Sequence, residues 1–97
     1  MAVYTVSQVT DYLKDSLDRD AFLADLWVSG EVSNLSRSST GNLYFTVKDD
    51  HSQLRCVMFR PNRGGDLLDN GVNAMVHGRI SLYAARGELQ VYVDIAQ

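Results

Sequence analysis

The sequence predicts a mainly β protein, a five-stranded Greek-key barrel preceded by one α-helix. Three observations carry that prediction. Apolar residues recur at spacings of three and four before Asp18, then switch to alternation from Leu26 onward. The alternating stretches number five. The longest break between them falls after the third, where Pro61, Gly64 and Gly65 interrupt regular structure.

Val9, Tyr12, Leu13 and Leu17 form one stripe, while Asp11, Lys14, Asp15 and Ser16 fill the other face, so a helix is expected from about Ser7 to Asp18 with Ser7 as its cap. In the first strand Val28, Gly30 and Val32 alternate with Trp27, Ser29 and Glu31. In the second, Leu43, Phe45 and Val47 alternate with Tyr44, Thr46 and Lys48. Ser36 to Gly41, polar and small apart from Arg37, reads as a mobile cationic loop between them. Asp49 to Ser52 makes a tight turn into a third strand, Gln53 to Arg60. The connector then has room for at most a short turn of helix around Asp66 to Asp69. A fourth strand runs from about Asn73 to Tyr83, with Ala74, Val76, Gly78, Ile80 and Leu82 inward. Ala84 to Gly87 turns into a fifth, about Glu88 to Ile95, with Leu89, Val91, Val93 and Ile95 inward. Gly30 and Gly78 lie on inward positions of long strands, where a missing side chain permits the bend that a small barrel needs. This order is that of the oligonucleotide-binding (OB) fold; an SH3-like barrel or an antiparallel sandwich is the competing architecture.

With 97 residues, 45% of them hydrophobic, the chain is expected to form one domain with one core, the helix over about 7–18 and the barrel over about 26–96. Apolar runs such as Cys56 to Phe59 fall far short of the roughly 20 residues that span a bilayer. No secretory leader pattern opens the chain, and Cys56 has no second cysteine to pair with, so a reducing, cytoplasmic setting without membrane attachment is expected. The net charge of -3 argues at first against a nucleic-acid partner. Its distribution reverses the argument. Residues 1–31 carry two cations against six carboxylates, whereas residues 32–97 carry seven cations, six of them Arg, against six. The planar guanidinium fork suits phosphates and base faces better than an ammonium does.

Four segments, taken in order over nearly the whole chain, carry a specific resemblance. They are Trp27-Val28-Ser29-Gly30-Glu31-Val32-Ser33-Asn34; Gly41-Asn42-Leu43-Tyr44-Phe45-Thr46-Val47-Lys48-Asp49; Leu54 to Arg60; and Gly78 to Tyr83 with Arg86-Gly87-Glu88-Leu89-Gln90. Together they resemble the amino-terminal domain of the exonuclease VII large-subunit family. One departure is the glycine-rich connector from Pro61 to Gly71, where family members often carry more helix. The resemblance implies an OB barrel in a parent enzyme that degrades single-stranded DNA from its ends to short oligonucleotides. It also implies that the nuclease chemistry and the docking of several small subunits lie in segments beyond Gln97.

Grip without sequence preference needs cations along the phosphates and aromatic faces under the bases. Tyr44 on the second strand with Arg55 and Phe59 on the third supply a candidate platform, Arg60 follows them, and Arg37 and Arg86 stand on the two flanking loops. The run Cys56-Val57-Met58-Phe59 leaves open whether Phe59 or Met58 faces outward. No cofactor and no metal are expected: Asp49, Asp50 and His51 are consecutive on a turn and are better explained by turn chemistry than by one ion. Cys56 reads as a core thiol, His77 as a surface imidazole, and Trp27, close in sequence to the apolar Phe22, Leu23 and Leu26, as packing rather than ligand. Two other functions fit the pattern. The acidic first third is a candidate protein-docking surface, and the same strand order occurs in tRNA anticodon-binding barrels, which read the 2′-hydroxyl. A self-contained enzyme fits least, because no paired carboxylates, phosphate loop or triad spacing appears.

Overall fold

In a computed structural model, residues 1–59 and 63–97 are described. The elements in order are a helix α1 (Val6–Asp18), strands β1 (Leu26–Arg37), β2 (Leu43–Lys48) and β3 (Gln53–Met58), a 3-10 turn (Gly65–Leu67), and strands β4 (Asn73–Tyr83) and β5 (Glu88–Ala96). The strands close into a barrel in the order β1-β2-β3-β5-β4, antiparallel throughout except where β3 meets β5 in parallel. This is the OB barrel that the alternation predicts.

β1 is long enough to serve two neighbours. Leu26 to Glu31 pair with β4, and Glu31 to Arg37 pair with β2. The switch falls at Glu31, and the absent side chain of Gly30 beside it lets β1 pass close to the Lys48 backbone. Val32, Phe45, Val76 and Val91 are fully buried at the centre of the core, with Leu43, Met58 and Cys56 around them. Burial pushes the Cys56 thiol up to about 12, which makes it an inert part of that packing.

Two bulges shift the inward pattern. Between Ser33 and Ser36 the register slips, with Asn34 at a φ of 53°, so Val32 and then Leu35 face the core three residues apart. The Leu35 N–H finds its partner outside the ladder, donating to the Asn70 side chain at 2.9 Å. The second slip, between His77 and Gly78, leaves Asp94 unpaired on β5 and buries Val93 and then Ala96. Alternation had placed Leu89 and Ile95 inward. Instead Leu89 is exposed near the turn and Ile95 is half-buried past the bulge.

The helix begins one residue earlier than expected and its cap is Thr5 rather than Ser7. Thr5 Oγ1 accepts from Gln8 N, and the Gln8 side chain accepts from Thr5 N, a reciprocal capping box. Every residue of α1 remains exposed or half-buried, including Val9, Tyr12 and Leu13. Only its carboxyl end reaches the barrel, where Ser81 Oγ donates to Asp18 and Leu13 and Leu17 border a groove with Leu82 and Leu89. Trp27 is 48% exposed and packs beside His77, with ring centroids 5.1 Å apart.

His77 bridges three parts of the chain. On β4, its Nδ1 lies 2.7 Å from Asp94 Oδ1 on the β5 bulge, and its Nε2 contacts Asp25, just before β1. Both ring nitrogens donate only in the imidazolium, so the Asp94 and Asp25 carboxylates raise the His77 pKa above its ordinary value. The charged clamp therefore contributes its full stability below the unfolded histidine value of about 6.5 and loses it as pH rises through the raised folded value. Urea unfolding followed from about pH 6 to about pH 9 should show wild type losing midpoint over this window. His77→Gln should remove that part of the pH dependence; a parallel profile in the variant would assign it to other groups.

Candidate nucleic-acid interface

Across β2, β3, β5 and β4 the register aligns the outward side chains in transverse rows. One row runs Tyr44, Val57, Tyr92, Arg79; the next runs Thr46, Arg55, Gln90, Ser81. Tyr44 and Arg55 are thus diagonal neighbours on one face, as their alternation predicted. Arg55 is held there: its Nη1 donates to Thr46 Oγ1 at 2.8 Å, which also satisfies the buried Thr46 hydroxyl. The orientation left open by the apolar run in β3 resolves with Met58 1% exposed and Phe59 58% exposed. Phe59 lies one residue past the end of β3, on the outer side. Arg60 falls outside the described residues.

The flanking loops differ from expectation in one respect. Arg37 is carried by the last residue of β1, paired with Leu43, rather than by a mobile loop. The connection beyond it is closed by its own bonds: Ser38 N donates to Asn42 O, Gly41 N to Ser38 O, and Asn42 N to Ser38 Oγ. Arg86 stands exposed in the β4–β5 turn. Because β5 runs parallel to β3, that turn lies beyond the Gln53 end of the face, while Arg37 lies at the Met58 end. The two residues thus stand at opposite ends of the face. At the β2–β3 turn, Asp49 Oδ1 accepts from His51 N and Ser52 N at 2.9 Å, and these two bonds hold its carboxyl below the usual carboxylate range. That is the turn chemistry expected of it.

Sequence reasoning missed two groups on the same face. Tyr92 stacks on Phe59 with ring centroids 6.4 Å apart and planes 25° apart, and the Arg79 guanidinium lies 4.5 Å from the Tyr92 centroid. Tyr92 does stand on the outward parity between Val91 and Val93, which is a signal. Its adjacency to β3 is a property of barrel closure and is visible only once β5 is placed beside β3 in parallel.

A family model described as an OB-fold nucleic acid binding domain matches residues 4–97. Among curated relatives, the exodeoxyribonuclease 7 large subunit of Clostridium beijerinckii is 46% identical over 93% of this chain and 23% of that protein. Those of Desulforudis audaxviator and Azotobacter vinelandii are 41% and 43% identical over 100% and 98% of this chain and 24% and 21% of theirs. The chain thus spans about a quarter or less of the length of these relatives. Two solved structures share the fold. A replication protein A heterotrimer bound to ssDNA aligns with a TM-score of 0.64 at 21% identity, over 79% of this chain and 58% of that one. Asparaginyl-tRNA synthetase from Pyrococcus horikoshii aligns with a TM-score of 0.65 at 16% identity, over 90% and 21%. Barrel topology, the family match along almost the whole chain and the run of related sequences agree: the chain belongs to the OB-fold nucleic acid binding domains, in the form carried at the amino-terminal part of exodeoxyribonuclease 7 large subunits.

Proposed function

We propose that this chain grips single-stranded DNA and positions it for exonucleolytic degradation to oligonucleotides, the cutting being done by other parts of a longer large subunit assembled with small subunits. The observation that carries this reading is the outward face of β2 and β3. It sets Tyr44, Arg55 and Phe59 side by side and is bracketed by Arg37 and Arg86. Aromatic faces under bases and guanidinium groups along phosphates are what sequence-tolerant single-strand binding requires. Arg60, next in sequence to Phe59, belongs to the same proposed contact set. The structural likeness to a replication protein A that is bound to ssDNA adds support.

The test is a fluorescence-anisotropy titration with labelled single-stranded DNA, duplex DNA and single-stranded RNA at two salt concentrations. Salt-sensitive binding that prefers single-stranded DNA is expected; equal binding of duplex, or none of any ligand at low salt, would overturn the proposal. Arg37→Ala and Arg86→Ala should each lower the slope of log affinity against log salt by about 0.7 to 1, the signature of one lost phosphate contact. A slope equal to wild type would reduce that arginine to a bystander.

Two observations favour other readings. The likeness to asparaginyl-tRNA synthetase keeps RNA as an alternative ligand, and tighter binding of RNA than of DNA of equal length would select it. The apolar side of α1, with Tyr12 72% exposed, favours a docking role for the first third. The acidic residues there are a weaker argument, because Asp15, Asp18 and Asp25 already face Arg19, Lys14 and His77.

A further inference from the structure

Resting on the reading that this chain continues past Gln97 into a longer large subunit, we propose that the segment following Gln97 lies in the cleft between β1, the β2–β3 turn and β4, and covers Met75 there. The cleft is open, about 890 Å³ in volume, and Gln97 is part of its lining together with Ser29, Glu31, Asp50, Asn73 and Met75. None of these residues belongs to the rows that hold Tyr44 and Arg55.

Three observations point to this occupant. The first is the course of the chain as it leaves β5. Met75 N donates to Gln97 O at 2.9 Å and Gln97 N to Met75 O at 2.8 Å, so the chain is still in register with β4 at Gln97. Continued antiparallel pairing sets the second residue beyond Gln97 opposite Asn73, which lines the cleft. The segment thus enters the cleft without a turn. The curated relatives described above, of which this chain covers 21 to 24%, have the length to supply it. The second observation is apolar surface on the same side. Ser29 pairs with Met75 and Trp27 with His77, so Met75 and Trp27 project from one face of the β1–β4 sheet, 45% and 48% exposed. A chain laid over Met75 removes apolar area from water, which stabilises the contact. The third is charge. Glu31, Asp49 and Asp50 line the cleft against one cation, Lys48. That excess of carboxylate repels a DNA strand and suits a polypeptide carrying Lys or Arg.

The test uses the full-length large subunit without DNA. It is treated with dilute hydrogen peroxide, and methionine sulfoxide is followed by peptide mass spectrometry. Met58, 1% exposed, is the buried reference, and Leu89→Met, at a position 47% exposed, is the open one. Met75 should oxidise as slowly as Met58; oxidation far faster than Met58 and equal to the open reference would overturn the docking. Glu31→Lys combined with Asp50→Lys, both at exposed positions, should restore rapid oxidation of Met75 in a protein that still melts cooperatively. Protection that survives this charge reversal would overturn the cationic occupant. A benzophenone attached at Ser29→Cys should cross-link within one chain to the peptide following Gln97. Capture of a second copy, seen as a doubled mass, or of a remote segment would overturn the assignment. Loss of the DNA grip in the titration above with Met75 still protected would leave the docking in place, and an open Met75 with DNA binding intact would overturn the docking alone. A natural protein with no chain beyond Gln97 would overturn the longer-subunit reading and the docking together.

Discussion

Gly78→Ala should cost about 3 kcal/mol or more of folding stability, the upper range for forcing an added methyl into a packed site. The reason is geometric. A Cβ at Gly78 would lie 2.0 Å from the Tyr92 carbonyl oxygen and 2.8 Å from its carbon, with Val93 Cα at 3.1 Å. These are backbone atoms, so relief requires β5 itself to move rather than a side chain to turn. Movement there is expensive because β5 closes the barrel on its other side, with Cys56 opposite Val91 and Val57 opposite Tyr92. The site is also the second bulge, where β4 steps from Val93 to Ile95 and the His77 clamp holds Asp94. Gly87→Ala is the control. Its added Cβ meets nothing within 4 Å and faces only the left-handed φ of 61°, a penalty of about 1 kcal/mol. For a domain of this size 1 kcal/mol moves Tm by about 4 to 8 °C, so Gly78→Ala should melt at least about 12 °C below wild type. A Gly78→Ala protein melting no lower than Gly87→Ala would show that β5 yields freely and that the glycine is incidental.

The same position illustrates what the sequence made legible. Gly78 stood out because it interrupts an inward run of Ala74, Val76, Ile80 and Leu82, and alternation is a direct imprint of the pleat. For the same reason β2 and β4 were readable nearly to the residue. The bulges were not. Asn34 and Asp94 are ordinary residues in strand-like stretches, and each shifts the downstream pattern by one, which is why Leu35 and Ala96 are inward and Ile95 is not. The amphipathic pattern of α1 was equally plain, but periodicity reports which face is apolar and not what covers it. At the site, Tyr44 and Arg55 were accessible because β2 and β3 form a hairpin, a local pairing. Tyr92 and Arg79 join them only through the parallel β3–β5 contact, which links residues far apart in sequence.

The largest loss of single-strand affinity should follow removal of Tyr44 and Arg55, and the two should be separable by salt. Tyr44→Ala removes a stacking surface, worth about 1 to 3 kcal/mol per base, so binding should weaken about 5- to 150-fold with the salt slope unchanged. Arg55→Ala removes a cation, so it should lower the slope as well as the affinity. Arg55→Lys distinguishes charge from shape. The ammonium keeps the slope but cannot both hold Thr46 Oγ1 and present a planar fork, so its affinity should fall between wild type and alanine. Their diagonal placement across β2 and β3 predicts coupling, and the double variant should lose less than the two single losses combined. If one nucleotide spans both side chains, removing either frees it from the other. Strict additivity would mean that Tyr44 and Arg55 hold different nucleotides, and an unchanged affinity in both single variants would move the grip off the β2–β3 face altogether.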